Sequence, residues 1–269
     1  MTDKTKPFPS APQALLLVVA LFVAEFIVGV LLKDAQGVLA LTAPQGWALA
    51  SLLANGCVFA TVMQYQGLDY RQLFHPAGTS MRATAAAVVP WVMLLVPALV
   101  IGLSMLVTLV TQAFPLSDSQ RALFDRMASN DFATLLLACV IAPVVEEMLF
   151  RGIILRGFLQ RYTRGQAIWG SSLLFGLAHM NIYQFVAALL MGAVCGWLYT
   201  RARSLVPCIA LHAAYNSALN LLASLASGSD DSTQVTLTGG LWIASMLLAG
   251  IGVLALRRTF DEQDAREKP

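Results

Sequence analysis

Pro143-Val-Val-Glu146-Glu147-Met-Leu-Phe-Arg151-Gly152 sets two adjacent carboxylates and a guanidinium inside an otherwise apolar run. No charge occurs from Phe132 to Val145. A charged side chain at mid-membrane costs about 2.5–3.5 kcal/mol on insertion scales. Three such groups within a turn and a half of a membrane helix therefore imply a function. Helical spacing puts Glu147 and Arg151 at i,i+4 with the acid N-terminal, the better order for an ion pair. Glu146 points roughly 100° away and lacks that partner. The pattern predicts one carboxylate neutralised by arginine and one left for chemistry.

Composition agrees with a membrane setting. The chain has 269 residues, 58% of them hydrophobic and 12% charged, with mean hydropathy +0.70. These values exclude a soluble domain of this size and indicate an all-α polytopic membrane protein. No basic block or aromatic–basic alternation points to nucleic acid. Cys57, Cys139, Cys195 and Cys208 lie in apolar segments without CxxC spacing and read as small buried hydrophobes. Lys4 and Lys6 precede an apolar run with no clear cleavage site after it, which reads as a retained first helix.

A spanning helix needs about 20 mostly apolar residues. Runs at about 13–32, 46–65, 84–113, 132–155, 166–181, 183–200, 204–226 and 238–256 predict about eight transmembrane helices in one bundle. The whole chain, 1–269, reads as a single transmembrane domain with tails at 1–12 and 258–269, of which Asp261–Pro269 is polar and expected to be mobile. The third run holds Pro90 and Pro97, so a kink is expected there. Residues 114–131 read as an external loop with a short amphipathic helix, and Gly228-Ser-Asp-Asp-Ser-Thr as an external turn. Of the 17 lysines and arginines, only Lys33, Arg121 and Arg126 fall on one side of this topology. The positive-inside rule then places both termini in the cytoplasm.

Three polar clusters stand within the apolar helices: Glu146, Glu147 and Arg151; His179, four residues after Phe175; and His212 with Asn216, at i,i+4 on one face. Rise per residue puts them in one layer, between the cytoplasmic half and the middle of the bilayer. Each alone suits a structural hydrogen bond. Together they suit hydrolysis of a peptide bond. A carboxylate beside an imidazole can take a proton from water. A second imidazole and an amide can donate to the oxyanion. Glu25, a single carboxyl in the first run, reads as a hydrogen-bonded structural group. His75 reads as solvated, and Gly192 and Gly196 as a close helix contact.

Glu146-Glu147-xxx-Arg151, Phe175-xxx-His179 and His212-xxx-Asn216, in that order on three membrane helices, resemble the CPBP family of CAAX prenyl-protease-like and bacteriocin-processing (abortive-infection) intramembrane proteases. The motifs cover roughly residues 140–220. The resemblance implies an eight-helix bundle with a conical catalytic cavity open toward the cytoplasm and the membrane. It implies Glu146 activating water with help from His179, His212 and Asn216 at the oxyanion, and Glu147 with Arg151 shaping the site.

Metal is the other possibility to weigh. Glu146, His179 and His212 can compose a His₂Glu zinc set. The chain lacks HExxH and an acid to support those histidines from behind, so a metal-free, cofactor-free glutamate mechanism is favoured. The expected partners are a membrane-associated or lipidated peptide or protein substrate and the bilayer itself, with no nucleic acid. Short termini and loops suggest a prokaryotic inner or plasma membrane. The alternatives are a non-proteolytic immunity or regulatory protein on the same scaffold, and a transporter. The second lacks the repeated broken helices of transporters.

Overall fold

The computed structural model describes residues 7–127, 131–227 and 239–266. Helices α1 (Ala11–Leu39) and α2 (Ala43–Gln66) form an antiparallel pair, followed by the short α3 (Tyr70–Phe74). Then come α4 (Met81–Met93), α5 (Val96–Ala113) and α6 (Asp118–Met127). The motif run is α7 (Phe132–Phe158). The chain continues with α8 (Arg164–Ala178), α9 (Ile182–Ala202), α10 (Val206–Ser227) and α11 (Gly239–Arg266). No strand occurs among the described residues.

Local sequence explains the boundaries. Thr42 and Gln45 form a capping box that opens α2, and Gly67 closes it at φ 63°. Thr163 and Gln166 do the same for α8, and Asn181 accepts from the Gln184 N–H at 2.8 Å to start α9. The expected kink is a full break between α4 and α5. Pro97 sits in the first turn of α5, where its missing N–H is tolerated. The expected amphipathic helix of the 114–131 segment is α6. The turn expected at 228–233 lies outside the described residues.

Among the described residues, seven helices are long and apolar enough to cross a membrane: α1, α2, α5, α7, α9, α10 and α11. The protein is an integral membrane protein. The remaining predicted run, 166–181, forms α8, which has only 15 residues. It packs closely on α9. A Cβ on Gly192 would stand 3.0 Å from Ser172 Cβ, and one on Gly196 3.0 Å from Ile168 Cγ2. The GxxxG spacing is thus a helix contact, as its sequence suggested.

Contacts sort the connections onto two ends of the bundle. At one end Arg161 donates to the Pro7 carbonyl, Arg156 Nη1 to the Gln72 carbonyl at 2.8 Å, and Leu205 N to the Phe74 carbonyl at 2.8 Å. Arg164 Nε reaches Thr200 Oγ1 at 3.0 Å there. At the opposite end Tyr183 Oη donates to the Phe114 carbonyl at 2.9 Å, and the Phe124 ring meets Tyr183 edge-on. We call these the basic end and the far end.

The C-terminal segment corrects one expectation. Residues 261–266, expected in a mobile tail, are the last turns of α11. Arg201 holds Asp261 at 3.0 Å and Asp264 at 3.2 Å, which fixes this helix to α9 at the basic end. The acids that made the stretch look solvated are the partners of that arginine.

Candidate active site

The helix that carries the two glutamates is not uniformly α. Wider π turns at Leu137–Ile141 and Met148–Leu155 flank the α-helical Ala142–Glu147. Such turns concentrate at functional sites. In the first of them Ala142 N–H bonds the Leu137 carbonyl, five residues back. By the same register the Ala138 carbonyl would take the N–H of residue 143, which is proline and has none. Asn216 Nδ2 fills that place at 2.8 Å. Pro143, beside the glutamates, thus explains why an asparagine from α10 docks here.

Glu147 and Arg151 form the expected pair, Oε1 to Nη1 at 2.9 Å, with both side chains wholly buried. The same Oε1 lies 3.0 Å from His212 Nδ1. A carboxylate only accepts, so Nδ1 carries the proton and Nε2 is the edge left over. That Nε2 stands 3.7 Å from Glu146 Oε2, beyond a direct hydrogen bond and within reach of one bridging water. Glu146 is 29% exposed, against 6% for the His212 side chain.

His179 caps the end of α8, its Nδ1 against the Phe175 carbonyl at 3.0 Å. The Phe175 ring is the centre of the cluster. It meets His179 at 5.1 Å and His212 at 5.8 Å between ring centroids, and the Arg151 guanidinium lies 4.7 Å over it. Cation–π contact accounts for part of how a buried arginine is tolerated.

Glu146, His179, His212 and Asn216 border one cavity of about 580 Å³ between α5, α7, α8, α9 and α10. Thr111, Leu116, Phe124 and Tyr183 of the far end line it, so it lies in that half of the bundle. A smaller cavity of about 140 Å³ lies behind Glu146 and His179 and reaches Glu25, Ser51 and Asn55. A crevice of about 630 Å³ between α1 and α2 shares Glu25 and Ser51 with it. Glu25 accepts from Ser51 Oγ at 3.2 Å and Asn55 Nδ2 at 3.1 Å, the hydrogen-bonded role expected of it. Its position beside the candidate cluster was not foreseen.

All six candidates therefore come together, with Glu147 and Arg151 paired as expected. The resemblance put His179 beside Glu146 and His212 at the oxyanion; the direct bond between His212 and Glu147 was not expected. In the structure His212 joins Glu147 directly and faces Glu146. Two lesser expectations fail. His75 is buried, with Nε2 against the Thr79 carbonyl at 2.7 Å. Of the cysteines only Cys195 and Cys208 are buried; Cys57 is exposed and Cys139 half-buried. Ser171, whose Oγ donates to the Phe150 carbonyl at 2.7 Å inside the second π turn, was missed. Proximity of a serine on α8 to that turn is not a sequence signal.

The far-end lining of the cavity and the described N-terminal residues lie at opposite ends of the bundle. The cluster also lies nearer the far end than rise per residue suggested, because α8 stops at Ala178. Among the described residues no group of three or more His, Cys, Asp or Glu side chains is arranged to hold a metal ion. His212 and His179 each bond a protein oxygen through Nδ1, which leaves Nε2 as the remaining ring nitrogen on both.

The family model described as type II CAAX prenyl endopeptidase Rce1-like matches residues 128–218. This is the CPBP family, and the matched segment holds every candidate from Glu146 to Asn216. The match supports a CAAX-type intramembrane endopeptidase in general terms. No curated protein matches the chain, and no solved structure does.

Proposed function

We propose that the protein hydrolyses a peptide bond in a membrane-associated or lipidated peptide or protein by a glutamate mechanism without metal. The observation that carries this reading is the common cavity bordered by Glu146, His179, His212 and Asn216. A water between Glu146 and the imidazoles gives its proton to the Glu146 carboxylate, and its oxygen attacks the carbonyl carbon. His179 orients that water with Nε2, the edge left over by its bond to the Phe175 carbonyl. The carbonyl oxygen becomes an oxyanion. It receives the remaining Asn216 N–H and, with both ring nitrogens protonated, His212 Nε2–H. The C–N bond then breaks, and the Glu146 proton passes to the leaving amine.

Glu147 and Arg151 do not touch substrate in this scheme. Glu147 fixes the His212 ring, and Arg151 supplies the opposite charge to Glu147 in a dry interior. The deciding experiment compares membrane peptides by mass spectrometry from cells with the wild-type protein and with Glu146→Gln. Products present only with wild type are expected. An unchanged peptide set would instead favour a binding or immunity role on the same scaffold. Purified protein is expected to hold far less than one zinc per chain and to keep its activity in chelator; stoichiometric zinc with chelator-sensitive cleavage would overturn the metal-free scheme.

A further inference from the structure

We propose that the active-site cavity opens on the extracytoplasmic side of the membrane, so that its substrate is a peptide segment entering from the outer leaflet. What enters rests on the proteolytic reading above; which side the mouth faces does not.

Two independent features lead here. The first is charge. Arg71, Arg82, Arg156, Arg161, Arg164, Arg201, Arg203, Arg257 and Arg258 lie on the connections and helix turns of the basic end. That end is knit together by the Arg156–Gln72, Arg161–Pro7 and Arg201–Asp261 contacts. The far end carries Lys33, Arg121 and Arg126. Short connections rich in arginine stay in the cytoplasm, so the basic end is cytoplasmic. The second is the cavity. Thr111, Leu116, Phe124 and Tyr183, which line it, all belong to the far end, and Glu146 inside it is 29% exposed. The cavity thus lies toward the end opposite the arginines.

The lateral path has the same polarity. The crevice between α1 and α2 is lined by Lys33, Ala43 and Trp47, next to the far-end connection of those helices. It shares Glu25 and Ser51 with the small cavity, and that cavity shares Glu146 and His179 with the main one. These neighbouring hollows lead from the outer half of the bilayer toward Glu146. The main cavity is walled chiefly by apolar side chains, which suits apolar residues next to the scissile bond. The carboxyl-terminal tail of a prenylated cytosolic protein would approach from the wrong face.

The test is accessibility. Ser119→Cys and Ala122→Cys report on the far end, and Gln160→Cys on the basic end; all three positions are exposed. The parent protein, whose cysteines lie within helices, sets the background. A membrane-impermeant maleimide should label the two α6 reporters in intact spheroplasts, and Gln160→Cys only after permeabilisation. Labelling of Gln160→Cys in intact spheroplasts, or of the α6 reporters only after permeabilisation, overturns the proposal. This outcome is indifferent to whether the protein is a protease. Separately, peptides lost with Glu146→Gln should be cut on the extracytoplasmic flank of membrane segments. Cuts confined to cytoplasmic tails would refute the substrate class while leaving proteolysis intact.

Discussion

Oε1 of Glu147 is shared between two helices, 2.9 Å from Arg151 Nη1 and 3.0 Å from His212 Nδ1. One buried oxygen thus balances a cation on its own helix and sets the ring of an imidazole on α10. Removing one member of a buried ion pair costs about 3–5 kcal/mol, whereas replacing both by apolar groups is often neutral. Arg151→Met and Glu147→Leu should each lower the thermal midpoint in detergent markedly. The double variant should recover much of the loss while remaining inactive, because His212 is no longer held. Single variants as stable as wild type would show that the pair is not buried as described.

Glu146 has no direct partner, since its contact to His212 is 3.7 Å. Glu146→Gln should therefore leave the thermal midpoint nearly unchanged. Loss of a general base should lower turnover by about 10²–10⁴. His179→Ala should also reduce turnover, with a smaller effect if it only orients water. Near wild-type cleavage by either variant, followed on a quenched fluorescent peptide in detergent, would remove that residue from the chemistry.

Asn216 does two jobs through one amide. One N–H satisfies the Ala138 carbonyl and the other is free for the oxyanion. Asn216→Ala should cost about 1–3 kcal/mol for the carbonyl left unpaired. It should also lower kcat by about 10²–10³ with KM little changed. A loss of stability with kcat retained would leave Asn216 a helix clamp only.

Gly192 and Gly196 bring α9 against α8, the helix that positions His179. Overpacking such a contact costs typically about 1–3 kcal/mol. Gly192→Val should destabilise, and should reduce activity more than Gly56→Val, a site with open space around it. Equal effects of the two substitutions would mean that the α8–α9 contact does not set the site.

The spans and the three motif clusters were legible because hydropathy and i,i+4 spacing are local properties. Pro90 and Pro97 marked the helix break for the same reason. What was not legible is relational. The sequence spaces Glu147 for Arg151 but says nothing of His212, 65 residues away. The π turns around Ala142–Glu147 change backbone register without changing composition. Asp261 and Asp264 are exposed acids whose pairing with Arg201 shows only once α9 is placed beside them. Arginine counting orients the helices, and only the three-dimensional lining adds that Thr111, Leu116 and Phe124 border the same cavity as Glu146.

Helix α8 has 15 residues, about 22 Å of rise, against a hydrocarbon thickness of about 30 Å. A bilayer meeting so short a wall thins locally. His179, at the last turn of that wall, then sits at the bottom of a dimple in the lipid. Water and a peptide amide reach it without crossing a full leaflet. Cleavage should accordingly run faster in vesicles of short-chain phosphatidylcholine than in those of long-chain lipid, where the dimple is costlier to form.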